Sequence, residues 1–100
     1  MSRRVEWSVS ALDDLDQSVA YIARDSPAAA REVAATIGRS ALALALRPTG
    51  RPGRVPGTYE KSVSGLPYVI AYAVPDEARL VVLRVIHTAR DWPSGAWPKA

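Results

Sequence analysis

The one histidine of this chain stands in VIHTARDWP, residues 85–93, between Arg84 and the group Arg90, Asp91 and Trp92. Imidazole is the side chain best suited to move protons near neutral pH. With Arg84 or Arg90 to stabilise charge developing on a phosphorane, His87 is the natural general acid or base for cleaving RNA. There the 2′-hydroxyl supplies the nucleophile. Hydrolysis by a protein nucleophile has less behind it: Ser94 lies near, but in no elbow motif, and no acid is placed to orient the ring. The competing expectation is structural, with His87 closing the last strand and its ring satisfied by a backbone carbonyl. One histidine alone favours that second reading.

Other chemistry is narrowed by residue type. One His and no Cys cannot build a usual transition-metal site, so no metal and no cofactor are expected. Asp13, Asp14 and Asp16 have helical spacing and no glycine-bearing loop, and read as a solvated helix start rather than a calcium site. In GRPGRVPG, residues 50–57, the prolines remove N–H donors and nothing helical follows, which excludes a phosphate loop. Arg47, Arg51 and Arg54 there either offer guanidinium forks to an acidic partner or are simply solvated.

The elements that must position these residues can be read from periodicity. Val5, Trp7 and Val9 alternate with polar residues, as in a short strand. A helix is expected over 11–24, with Leu12, Leu15, Val19 and Ile22 on one face. Ser10 and Asp13 look like its capping box, and the acidic residues suit its first turn. Ser26 and Pro27 open a second helix, with Ala30, Val33, Ile37, Ala41 and Leu44 on its inner face; it stops before Pro48. The short joint between the helices implies an antiparallel hairpin. Residues 47–57 are dense in Pro and Gly and are expected to be irregular. Three strand-like runs follow, at 58–64, 68–74 and 79–87, with joints short enough for hairpins. The last is apolar on both faces, as in a central strand. The expected class is α+β, ordered β-α-α-β-β-β, with a helical hairpin packed on an antiparallel sheet. Its length of 100 residues suits one domain over 1–100.

Composition bounds the partners. Hydrophobic residues form 48% of the chain, which excludes a disordered protein. No apolar run reaches the roughly 20 residues of a membrane span, and MSRRVEWSVS is not followed by the apolar stretch of a signal peptide. Net charge is +3, carried almost wholly by arginine, since Lys61 and Lys99 are the only lysines. That balance leans slightly toward acidic or nucleic-acid partners.

Five segments together resemble the ParE/RelE toxin superfamily: WSVSALDDL (7–15), YIARDSPAAA (21–30), GRPGRVPGTYE (50–60), PYVIAYAV (67–74) and LRVIHTARDWP (83–93). The resemblance spans residues 5–93. It implies the same β-α-α-β-β-β fold and a toxin of a type II toxin–antitoxin module acting in the bacterial cytoplasm. It also implies a cognate ParD-like antitoxin whose disordered tail folds on the toxin, in a heterodimer or larger assembly. Operator DNA would be met only through that antitoxin, and no membrane is involved.

The superfamily holds both gyrase poisons, which resemble ParE, and ribosome-dependent mRNA endonucleases, which resemble RelE. The nucleases commonly carry an arginine in the third of the four strands expected here, in a pattern like His-Arg-Leu-Val-Tyr. This chain has Tyr-Val-Ile-Ala-Tyr, with Val69 at that place, and Thr88 where a tyrosine often follows the final histidine. The segments GRVPGTYE and VIHTARDWP are similar to the ParE branch. The resemblance therefore implies DNA gyrase as target, without catalysis, and an mRNA endonuclease using His87, Arg54 and Arg84 as the alternative. Target or partner contacts are expected at Arg51, Arg54, Tyr59, Arg84, Arg90 and Trp92. An antitoxin groove is expected at Leu12, Leu15, Val19, Ile37 and Leu44, where an amphipathic tail can lay apolar residues beside the helical hairpin.

Overall fold

The computed structural model describes residues 3–89, which form five strands and two helices. In chain order these are β1 (Arg4–Trp7), α1 (Val9–Ala23), α2 (Pro27–Leu46), β2 (Arg51–Pro52), β3 (Tyr59–Ser62), β4 (Tyr68–Asp76) and β5 (Arg79–His87). The sheet order is β1-β5-β4-β3-β2. Both helices and the three long runs lie where their periodicity places them, and β5 has the expected ends.

Two features of the sheet differ from expectation. First, Arg51 and Pro52 pair with Glu60 and Tyr59, so a two-residue strand interrupts the segment expected to be irregular. Pro52 is tolerated because β2 is an edge strand, where a missing N–H breaks no ladder on its outer side. Gly57 turns the β2–β3 hairpin with φ +83°, a backbone region that side chains disfavour. Second, the sheet is mixed: β2 to β5 form an antiparallel meander, but β1 pairs with β5 in parallel, Arg4 opposite Arg79 through Trp7 opposite Val82. Apolar alternation reads the same in either direction, so it carries no information about the orientation of a strand that no hairpin joins to its neighbour.

The start of α1 also differs. Its N-cap is Ser8, not Ser10: Ser8 has extended backbone, and its Oγ accepts the Ala11 N–H at 3.0 Å. The three aspartates therefore lie beyond the first turn. α2 begins as expected, with Ser26 Oγ accepting the Ala29 N–H at 3.1 Å and Pro27 in the first turn.

Ser8 has a second task. β1 ends at Trp7 while β5 runs on to His87, leaving the β5 edge unpaired beyond Val82. Buried backbone groups must find partners, and here α1 supplies them. Ser8 Oγ donates to the Leu83 carbonyl at 2.8 Å, and the Asp14 carboxylate accepts the Val85 N–H at 3.0 Å. Asp14 also takes both arms of Arg84, at 2.7 and 2.9 Å. The pair is largely buried, with side-chain exposures of 22% for Arg84 and 15% for Asp14. Asp14 is thus not part of a solvated helix start.

β5 carries a bulge at the same place. Ala71 faces Arg84 while Tyr72 faces Val82, so Leu83 is an extra residue. The inward set accordingly runs Leu80, Val82, then Val85, packed with Ile37, Ala41, Leu44, Ile70 and Tyr72. Ala73, Val81 and Leu83 form a second cluster on the opposite face. The inward residues of α1 are Ala11 and Ser18, with Leu15 packed against the core, whereas Leu12 is 46% exposed. The stripe expected to face inward is therefore rotated, because Asp14 must reach β5.

Tyr72 anchors the loop after α2. Its ring is fully buried and its Oη accepts the Gly50 N–H at 2.8 Å. A side chain at Gly50 would bring a Cβ to 2.8 Å from the Glu60 carbonyl oxygen, closer than such atoms come, so only glycine fits. Burial raises the Tyr72 pKa above its ordinary value, the Gly50 hydrogen bond opposes this, and nearby Tyr59 adds to the rise.

Three stability outcomes are expected from urea unfolding. Ser8→Ala loses a cap and the partner of the Leu83 carbonyl, and should cost about 2–3 kcal/mol, against about 1 kcal/mol for the simple cap lost in Ser26→Ala. Asp14→Ala should cost about 2–4 kcal/mol by stranding the Val85 N–H and removing the carboxylate from a largely buried guanidinium, and Asp14→Asn less, since an acceptor oxygen remains. The raised Tyr72 pKa stabilises the fold fully below the unfolded-state value of about 10, and that stabilisation is lost as pH rises through the folded-state value. Tyr72→Phe should lower stability by about 1 kcal/mol at neutral pH and flatten the decline above pH about 10.

Candidate functional site

The sequence motifs fall at two distant parts of the sheet. One is the end of β5. His87 faces Tyr68 across the β4–β5 pairing, with ring centroids 5.2 Å apart in an edge-on arrangement. Its Nδ1 accepts the Ala89 N–H at 3.1 Å. The ring is therefore held by a backbone N–H rather than by the carbonyl expected from the sequence. In the neutral form this bond places the proton on Nε2. Val69, at the place of the nuclease arginine, is 8% exposed and opposite Ile86. Arg84 is gripped by Asp14, whose hydrogen bonds raise the guanidinium pKa against the opposing effect of burial. Arg90 and Trp92 lie outside the described residues.

The second part is the β2–β3 hairpin at the far edge. Arg51 is exposed on β2, and Arg54 follows it. The Arg54 N–H donates to the Glu60 carboxylate at 2.8 Å, and Thr58 Oγ1 donates to the Val55 carbonyl at 2.6 Å, so side chains close the turn. Tyr59 is 40% exposed and stacks on Tyr72, with centroids 5.7 Å apart and planes 26° apart. Arg51, Arg54 and Tyr59 are thereby gathered on one hairpin. Arg54 is not gathered with His87. Tyr59 pairs at the level of Tyr72 and His87 at the level of Tyr68, and the hairpin lies two to three strands away. Sheet spacings place them on the order of 15–20 Å apart. His87, Arg54 and Arg84 therefore do not meet around one phosphate in this conformation.

The expected groove residues divide. Ile37 and Leu44 are 0% and 2% exposed and belong to the core, so they correct the expectation of a groove along the helices. The helical stripe to which they belong faces the sheet in this fold. Leu15 is half-buried against the core and Val19 is half-buried, leaving Leu12 as the exposed member.

Asp14 and Glu60 were not singled out as site builders. Asp14 lies 70 residues from Arg84, and its one local signal was position: with Ala11 and Ser18 it falls on a single helical face. Glu60 gave no local signal, being a charged residue at an alternating strand position. Among the described residues no three His, Cys, Asp or Glu side chains group to hold a metal ion, and no helix is long and apolar enough to cross a membrane.

Comparison with known proteins gives the family. Residues 5–92 match the model for the ParE toxin of type II toxin–antitoxin system, parDE. The protein named "Putative toxin Y4kP" of Sinorhizobium fredii (strain NBRC 101917 / NGR234) is 42% identical over 95 residues, covering 93% of this chain and 97% of that protein. Among solved structures, a chain of the chromosomal ParDE TA system from P. aeruginosa superimposes with a TM-score of 0.76. It is 22% identical and covers 86% of this chain and 96% of its own, a likeness of fold. A chain of the toxin–antitoxin complex RelBE2 from Mycobacterium tuberculosis gives 0.64 at 26% identity, over 87% and 99%. The mixed five-stranded sheet with its helical pair, together with a family match over nearly the whole sequence, makes this chain a member of the ParE toxin family of type II toxin–antitoxin systems.

Proposed function

We propose that this toxin poisons DNA gyrase by binding it, and that a ParD-like antitoxin neutralises it. The observation that carries the reading is Val69. An aliphatic side chain, buried opposite Ile86, occupies the place where related nucleases hold a phosphate-binding arginine. The partial substitutes do not converge: Arg84 is engaged by Asp14 and Arg54 stands on a distant hairpin. Catalysis of phosphoryl transfer depends on charge positioned around one phosphate, and the described residues do not form that arrangement.

Contact with the target or partner is assigned to Arg51, Arg54 and Tyr59 on the hairpin, and to Arg84, Arg90 and Trp92 near the end of β5. Arg84 contributes chiefly by fixing β5. The whole sequence, 1–100, acts as one toxin domain in the cytoplasm, without cofactor, and meets operator DNA only through the antitoxin. The second reading, an mRNA endonuclease, draws on His87: it is half-buried, and Nδ1 is the ring nitrogen that hydrogen-bonds among the described residues.

Purified toxin added to gyrase should block supercoiling of relaxed plasmid or accumulate cleaved DNA, and free antitoxin should reverse this. Unaffected gyrase at large molar excess would refute the reading. In a ribosome assay, mRNA should stay intact with either the native toxin or His87→Ala; cleavage by the native toxin that disappears in His87→Ala would establish the nuclease instead.

A further inference from the structure

The sheet has two faces, and the core shared with the helices lies on one of them. Ile70, Tyr72, Leu80, Val82 and Val85 point into that core, against Ile37, Ala41 and Leu44. Alternation turns Val69, Ala71 and Ala73 of β4 the other way, where they pair with Ile86, Arg84 and Val81 of β5. The free face of an antiparallel sheet ordinarily carries polar side chains toward water. Here Val69, Ala71, Ala73, Val81, Leu83 and Ile86 are apolar and only 0–8% exposed. Strand neighbours shield the flanks of such side chains but not their outward ends. The cluster of Ala73, Val81 and Leu83 draws on no residue of either helix. Something other than the two helices must therefore cover this face.

The chain that leaves β5 starts at the right place. The Thr88 N–H donates to the Pro67 carbonyl, so β5 ends beside the Val69–Ile86 pair. Residues 90–100, RDWPSGAWPKA, follow and lie outside the described residues. Extended, that length spans about 35 Å. The apolar strip from Ile86 back to Val81 is about 16 Å long and, over two strands, about 10 Å wide. The segment carries two tryptophans, each able to bury about 150–250 Å². Pro93 and Pro98 bring no N–H, so fewer donors need partners above an apolar surface. A second copy of the chain fits less well. A stable dimer needs about 800 Å² from each partner, several times the area of this strip.

We propose that residues 90–100 fold back across the outer face of the sheet as a strap, with Trp92 over the Val69–Ile86 pair and Trp97 over Leu83, Val81 and Ala73. An indole laid flat on the strip keeps its other side toward solvent, so Trp92 stays available for the contact assigned to it above. The strap also closes the sheet around Val69 to an RNA backbone. None of this depends on which molecule the toxin poisons.

The chain has no cysteine, so one introduced pair can be joined without competition. Glu6 lies opposite Val81 on β1, turned to the same outer side, and Ala96 adjoins Trp97. In the full-length toxin, Glu6→Cys with Ala96→Cys should be linked within one chain by a short bismaleimide. The yield should be at least about fivefold that of Arg31→Cys with Ala96→Cys, since Arg31 is exposed on α2. Both indoles stay intact in these variants. Trp97→Ala should lower the melting temperature by at least about 4 °C, and Lys99→Ala by less than about 1 °C. Equal linking of the two pairs, or an unchanged melting temperature in Trp97→Ala, overturns the proposal. Linking of Glu6→Cys in one chain to Ala96→Cys in another, with a dimer in solution, assigns the face to a second copy and overturns it too.

Discussion

A strand that outlasts its neighbour leaves backbone groups without partners, and in this toxin that problem organises everything around it. β5 extends five residues past the end of β1, inside a region too buried for water to serve freely. The chain answers by turning directly from β1 into a helix whose first turns carry Ser8 and Asp14, one for the Leu83 carbonyl and one for the Val85 N–H. α1 is therefore fixed in rotation as well as position. α2, tied to it by a joint of a few residues, lies over the remaining sheet with small residues, Ala30, Ala41 and Ala45, turned inward. Arg84 completes the arrangement by neutralising the carboxylate that burial would otherwise penalise.

Features that depend on neighbours in sequence were legible. α2 shows its cap, its proline, its inner face and its stop in consecutive residues, and β5 shows both ends. Features that depend on distant partners were not. Nothing within 47–57 marks Arg51 and Pro52 as a strand, because that strand exists only through Tyr59 and Glu60. The parallel pairing of β1 and the role of Asp14 likewise need β5 to be in place first. The candidate site followed the same rule. Arg51, Arg54 and Tyr59 are close in sequence and close in space. His87, Arg84 and Arg54 were grouped by chemistry, and the register separates His87 from Arg54. Helical periodicity found the stripe containing Ile37 and Leu44 but could not say that the sheet covers it.

The distribution of charge separates two kinds of arginine. Arg79 joins Asp76 and Glu6, while Arg4 joins Glu6, in exposed pairs that salt screens and that contribute little to stability. The Arg4 hydrogen bond chiefly holds the Glu6 carboxylate below its ordinary range, and the Ala78 N–H, followed by Arg79, does the same for Asp76. Arg47, Arg51 and Lys61, by contrast, form no ion pair among the described residues and stand around one part of the surface. A modest net charge of +3 thus conceals a local excess, which is what steers an oppositely charged partner.

The extra residue at Leu83 reaches beyond packing. Before it, even-numbered residues of β5 face the helices; after it, odd-numbered residues do, so that Val82 and Val85 both enter the core. The strand has changed phase by half a pleat. His87 is on the face it occupies because of that slip, and the same residues in a strand without the bulge would send it to the other side with no substitution at the histidine itself. The presentation of this end of the molecule is therefore encoded upstream, in the bulge at Leu83, where a comparison of side-chain identities alone would not find it.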